Sequence, residues 1–399
     1  MHEYKEQPGE CAACGNSPVN HIATYLLQST DLLVGSIAYR VARRFSAPRW
    51  ALRVSQALER LISKCFFAVA EKVRIVTYNT DPTKARSYRS QVIWEEALRR
   101  GIPMEQVVVW GKATGIYRAF VRGAWQYFNS IPIPAEIDRP SAWWMGDKHL
   151  VKEHLRPHGI AVPQSQSISR QRDALAAHKA IGRAVIIKPQ IGSRGRHTTT
   201  HINDEKSVVE AFRSATQLCP RVSIEEHLEG PVCRGTVVAG KLVGFFQGTV
   251  PHVVGNGKET IERLIEAQNA RRHERVAAIV LTDENDLFLS RQGYTRGSIP
   301  LSGAVVELTH RTGRLFGGET RELLSTVHPH LKAELERAAD IIDTPIVGFD
   351  LIIADPEVDP RGQRWGIIEA NSLPFIDLHY LPLYGTPSNP AAAVWDLWV

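Results

Sequence analysis

Residues 346–371 read IVGFDLIIADPEVDPRGQRWGIIEAN: an apolar run, a cluster of turn formers, and a second apolar run. That pattern is a hairpin signature. With the turn centred on Val358, Asp359 and Pro360, symmetric pairing sets Ala354 opposite Trp365 and, counting back, Asp350 opposite Glu369. Side chains alternate across a strand, so Glu369 and Asn371 share a face. Opposed carboxylates destabilise a sheet, and an unpaired charge inside an apolar strand is costly, so positive charge must lie between them. Either a Lys or Arg supplies it, or a divalent cation does, with oxygen ligands from Asp350, Glu369 and Asn371. A hard ion such as Mg2+ takes a few carboxylates together with phosphate oxygens, which makes a nucleotide the natural completion.

The rest of the chain sets bounds. Its 399 residues suffice for two or three subdomains, and 43% apolar with 23% charged residues is ordinary for a globular protein. No apolar run approaches membrane-span length. MHEYKEQPGE is polar and acidic, unlike a signal peptide, so the expected location is cytoplasmic and reducing. The net charge of +6 comes from dispersed arginines, which fits anionic substrates as well as nucleic acid, and no nucleic-acid partner is expected. Five scattered cysteines outline no disulfide framework. In CAAC, Cys11 and Cys14 with His21 offer three zinc donors. A closed structural site needs four, and without a second CxxC an ordinary tail is expected.

Residues 18–72 carry apolar residues at helical spacing in two segments, a helical leader whose arginines (Arg40, Arg43, Arg44, Arg49, Arg53, Arg60) read as a solvated basic face. A strand at 73–78, a helix ending at Gly101 and a strand at 106–110 suggest an open α/β domain, giving a first domain over 1–140. IPIPAEIDRP at 131–140 reads as a linker. From 143 to 399, short strands alternate with helices up to the hairpin.

AVIIKPQIGSRGRHTTT places Lys188 at the end of an apolar strand, before a glycine-punctuated basic loop. Lysine supplies a point charge, and Gly192 and Gly195 let backbone amides approach phosphate oxygens. This is neither a P-loop nor a dinucleotide fingerprint, and a surface turn has the same composition. Lys148 alone would be read as a surface residue, and SIEEHLEG (223–230) as a solvated acidic turn.

Taken in order, DKHLVKEHLRPHGIAVP, IIKPQIGSRGR, IEEHLEG, VVAGKLVG, VGFDLI and GIIEANSLP resemble the ATP-grasp superfamily across 143–399. VVAGKLVGFFQGTVPHVVGNGKETIERLIEAQN, RQGYTRGSIPLSGAVVEL and GGETRELLSTVHP are similar to the ATP-grasp domain of cyanophycin synthetases and of glutathione-synthetase-like ligases. The resemblance implies an α+β fold in which two subdomains clasp ATP, preceded here by the α/β domain. It implies Lys148, Lys188 and Ser193 at the ATP phosphates, and Glu225, the Leu228 backbone and Glu229 at the adenosine. Asp350, Glu369 and Asn371 become ligands of Mg2+, two ions with Mn2+ as a substitute, and Arg234 lies near an acyl phosphate. Val232 stands where an acidic residue usually meets the ribose. The implied activity is ADP-forming carboxylate–amine ligation on small-molecule amino acids or peptides, with a homo-oligomer left open. The rival expectations are a nucleotide-binding regulator without turnover and an ATP-grasp kinase or carboxylase. Arg271, Arg272 and Arg296 are candidate anchors for an acidic substrate.

Overall fold

The computed structural model describes residues 11–14, 18–44, 67, 69–138, 144–192 and 195–398. Helix α1 (His21–Arg44) forms as expected and exposes Arg40. Most of the second leader segment, with Arg49, Arg53 and Arg60, lies outside the described residues.

Strands β1 (Val76–Asn79), β2 (Met104–Val109), β3 (Lys112–Val121) and β4 (Ala124–Asn129) pair in that order, every neighbour antiparallel. Helix α2 (Tyr88–Arg99), capped by the Ser87 side chain, connects the first two. The alternation of strand and helix is as read, but the sheet is an antiparallel meander and not a parallel one. Two turns fix the β2–β3 and β3–β4 pairs. Trp110–Gly111 and Arg122–Gly123 both have two consecutive positive φ angles, the geometry that folds a strand straight back on its neighbour.

Beyond residue 144, helices α3 (Lys148–Leu155), α4 (Gln171–Ile181) and α5 (Glu205–Thr216) accompany β5 (Ser165–Ile168), β6 (Val185–Pro189), β7 (Thr199–Ile202) and β8 (Val222–Glu226). These strands form an antiparallel sheet in the order β5-β8-β6-β7, and α4 and α5 cover it through one apolar cluster.

The central sheet uses β9 (Val232–Val238), β10 (Lys241–Gly248), β13 (Thr320–Glu322), β14 (Ile346–Ile352) and β15 (Gly366–Asn371) in the order β13-β10-β9-β14-β15. Between β10 and β13 lie β11 (His252–Val254) and β12 (Val305–Glu307), a two-stranded sheet, with α6 (Ile261–Arg271) and α7 (Asp283–Arg291). Helix α8 (Pro329–Ile342) covers one face of the central sheet, where Val237, Phe349 and Leu351 pack against Leu335 and Ala338. On the opposite face Val238 and Ile346 share a cluster with Ile93 of α2 and Trp395 of the helix α10 (Pro390–Asp396), which follows the short α9 (Asp377–Tyr380). The Trp395 indole N–H donates to the Ile93 carbonyl at 2.9 Å. Ile131, at the start of the expected linker, is buried in this same cluster.

Candidate active site

The hairpin register is as the sequence predicts at its functional end: Asp350 faces Glu369, and Gly348 faces Asn371. Beyond Asp350 the pairing slips by one, with Leu351 opposite Ile367, so the expected Ala354–Trp365 pair does not form. Ile368 is the extra residue. A bulge of this kind leaves one residue unpaired and sharpens the local twist.

On the other side of β14, Asp350 lies opposite Arg234 of β9. Arg234, Asp350 and Glu369 therefore form one row across three strands. Nature's answer to the opposed carboxylates is, at this point of the fold, a cation on each flank. Arg234 grips Asp350 with two bonds, Nε to Oδ1 at 2.5 Å and Nη2 to Oδ2 at 2.6 Å. Lys148 Nζ stands 3.6 Å from Glu369 Oε2 and donates to the Gly192 carbonyl at 2.7 Å. Burial alone would raise the Glu369 pKa, but Lys148, Lys188, Arg234 and Lys152 outweigh it and hold the group below the usual carboxylate range. Asp350 is the opposite case, raised by burial that Arg234 offsets only in part.

Helix α3 brings the second cluster to the first. Asp147 caps it, accepting from the His149 and Leu150 amides at 2.9 and 3.1 Å, while its other oxygen accepts from Gln190 Nε2 at 2.7 Å. Lys148 thus sits at the first helical position, where the helix dipole already favours an anion. One turn later comes Lys152, a residue that sequence reasoning missed. Its side chain is fully buried, and Nζ donates to Glu225 Oε1 at 2.8 Å and to the Lys148 carbonyl at 3.0 Å. Lys188 Nζ meets the other Glu225 oxygen at 3.0 Å, and Ser223 Oγ donates to Oε1 at 2.7 Å. Burial lowers the Lys152 pKa to about 8, with Glu225 opposing the shift. Burial pushes the Glu225 carboxyl up, but Lys152 and Lys188 overcome it and bring it down to about 2. The signal for Lys152 was its spacing from Lys148, since i and i+4 share a helix face.

The remaining sequence candidates distribute as follows. Glu225 does not present its carboxylate to a connector; it turns inward between two lysines. Leu228 is buried in the segment that leaves β8, and Glu229 beside it is exposed. Val232 lies in β9, opposite Ile352. Ser193 lies outside the described residues. Arg271 and Arg272 line a cavity of ≈ 780 Å³ with His252, Asn269, Glu319 and Tyr384, a place that none of the phosphate or metal candidates reaches. Arg296 instead forms two bonds to Asp286 at the surface, at 2.6 and 2.7 Å.

Asp350 stands opposite Glu369, and Asn371 follows two residues on along the same face, so two carboxylates and a carboxamide offer oxygen donors of the kind a hard divalent ion takes. Asp350 retains lone pairs beyond those that Arg234 uses.

No family model matches the chain. Over 258 residues it is 31% identical to cyanophycin synthetase of Trichormus variabilis, covering 63% of this chain and 29% of that protein. Over 266 residues it is 26% identical to the glutathione biosynthesis bifunctional protein GshAB of Clostridium perfringens, covering 63% and 34%. The chain thus spans about a third of the length of these curated relatives. Its fold is similar to that of a bifunctional glutathione synthetase from Pasteurella multocida, with a TM-score of 0.53 and 23% identity over 78% of this chain and 43% of that one. The resemblance to ATP-grasp ligases stated from the motifs is borne out by these relatives, as is the mixed α+β fold class.

Proposed function

We propose that this chain is an ADP-forming, Mg2+-dependent carboxylate–amine ligase that acts on amino-acid or peptide substrates in the cytoplasm. The observation that carries the reading is the row Arg234–Asp350–Glu369, with Asn371 on the same strand, placed against Lys148, Lys152 and Lys188. Four cations stand against three carboxylates there, so the site has room for an anion and holds the hard oxygen donors that a divalent ion needs. The relatives that support the assignment are named as synthetases. A divalent ion bound at Asp350, Glu369 and Asn371 would neutralise charge on the terminal phosphates of ATP.

A carboxylate is a poor electrophile at neutral pH. Its oxygen attacks the γ-phosphorus, ADP departs, and the resulting acyl phosphate has phosphate as a leaving group; the amine then attacks the carbonyl carbon and phosphate is released. Lys148 and Lys188 hold the phosphates in line, and Lys152 keeps Glu225 from competing for Lys188 alone. Arg234, fixed by Asp350, offers charge to the acyl phosphate and to the tetrahedral intermediate that follows.

The test is steady-state ADP release from ATP and Mg2+, screened over pairs of amino acids and dipeptides. The reading expects release that requires both a carboxylate and an amine partner. Tight ATP binding with no release on any pair would make the chain a nucleotide-binding regulator instead.

A further inference from the structure

Four metal-type donors from distant parts of the chain meet outside the nucleotide site. Cys11 and Cys14 flank a single turn in which the Cys14 amide donates to the Cys11 carbonyl at 2.9 Å. His21 opens α1, and His197 reaches in from the loop between β6 and β7, 183 positions from Cys14. One ligand atom of each lies within 4.8 Å of all the others. Three sulfur–nitrogen separations are 3.5 Å (Cys11–His197), 3.3 Å (Cys14–His21) and 3.4 Å (Cys14–His197). A tetrahedral zinc with Zn–S of about 2.3 Å and Zn–N of about 2.05 Å holds sulfur and nitrogen about 3.5 Å apart.

The surroundings favour ligation over thiol–imidazole hydrogen bonds. His197 Nδ1 donates to the Ser214 carbonyl at 2.8 Å, which leaves the Nε2 lone pair aimed at both sulfurs. An outer hydrogen bond of that kind is what orients a metal-binding imidazole. Cys14 and His197 are buried. The His197 backbone has φ 51, a left-handed conformation unusual for a side chain with a Cβ, and its amide donates to the Ala13 carbonyl at 2.9 Å. Ligation would replace the thiol protons of Cys11 and Cys14 with the cation.

We propose that Cys11, Cys14, His21 and His197 form a structural zinc site that pins the amino-terminal segment to the loop following the Lys188 strand. Two thiolates with two imidazoles select zinc over the hard ions suited to Asp350 and Glu369. The expectation of an ordinary tail is thereby replaced: the fourth ligand comes from the basic loop, not from a second CxxC. Farther along α1 the same attachment continues, because the Gln28 amide, turned so that its nitrogen donates, meets the carbonyls of Ile191 and Leu218 at 2.9 and 3.0 Å.

Elemental analysis of the full chain, purified without chelator, tests the site. The expected result is about one zinc per chain, with most of it lost in Cys14→Ser and in His197→Ala. His330→Ala serves as control, since His328, His330 and Asp359 form the other metal-type cluster among the described residues, with His330 at the surface. Should the ligand variants fail to fold, Co2+ added to chelator-treated wild-type chain decides: thiolate-to-cobalt absorption with tetrahedral visible bands supports the site. Wild-type chain that binds neither metal, zinc that survives in both ligand variants, zinc lost from the His330 variant, or a mass two hydrogens light from a Cys11–Cys14 disulfide would each overturn it.

Discussion

Glu225 carries one carboxylate between two ammonium groups in a fully buried setting, and its acid response follows from that placement. Its folded pKa of about 2 lies below the ordinary 4.5, so its contribution is complete above pH 4.5 and is lost as pH falls toward 2. Glu225→Gln should flatten the fall in melting temperature across that window, and at pH 7 should cost about 3–5 kcal/mol because two buried cations lose their partner. Parallel acid-dependent melts of the two proteins would contradict the pairing. Asp350 and Glu369 are predicted to differ. Asp350→Asn strips Arg234 of a bidentate partner and should destabilise the fold as well as abolish turnover. Glu369→Gln loses a 3.6 Å contact to Lys148 and the attraction of Lys188, Arg234 and Lys152 but leaves no bidentate partner unpaired, so it should lower the melting temperature less than Asp350→Asn while lowering Mg2+-dependent turnover by orders of magnitude. Lys188→Ala should raise the KM for ATP roughly tenfold or more, as loss of a charge-assisted hydrogen bond requires. Lys258→Ala, in an exposed turn, is the comparison that should not.

Helix α3 connects the two charge clusters, and its cap is the element most worth breaking. Asp147→Ala removes the oxygen that accepts from the His149 and Leu150 amides and the bond to Gln190, so about 1–2 kcal/mol of stability should go with it. The KM for ATP should rise as Lys148 and Lys152 lose their common anchor, and Asp147→Asn, which still caps, should recover most of both losses. A stability loss without any change in KM would detach the helix from the site. The hairpin of β14 and β15 illustrates how far sequence alone reaches. Asp350 opposite Glu369 was legible because strand period and turn chemistry are local, whereas the bulge at Ile368 was not, since nothing in the run GIIEAN marks one isoleucine as unpaired. Strands β3 and β4 were missed although Arg122–Gly123 between alternating residues announced a tight hairpin. Lys152 and His197 escaped for a different reason: what makes each of them chemical is a partner far along the chain, Glu225 for the one and the CAAC pair for the other.

At the scale of the molecule, the meander β1–β4 with α2 shares its core with the central sheet. Ile93, Tyr117 and Ile131 share a cluster with Val238, Ile346 and Trp395, so the meander and the central sheet are held by one core. Among the phosphate candidates Lys188 comes from a different sheet, β5-β8-β6-β7, while Lys148 of α3 stands beside Glu369 of the central sheet. ATP with Mg2+ would bridge the two sheets, and at a hundredfold excess over Kd should stabilise the chain by about 2.7 kcal/mol. Among the described residues no helix is long and apolar enough to cross a membrane. In the proposed reaction, attack at the γ-phosphorus forms an acyl phosphate, a species that can be trapped. With ATP, Mg2+ and the carboxylic acid identified by the ADP-release screen, hydroxylamine in place of the amine should yield a hydroxamate and ADP in equal amounts, and Glu369→Gln should yield neither. Stoichiometric AMP and pyrophosphate in place of ADP would contradict the account, even if an amide were formed.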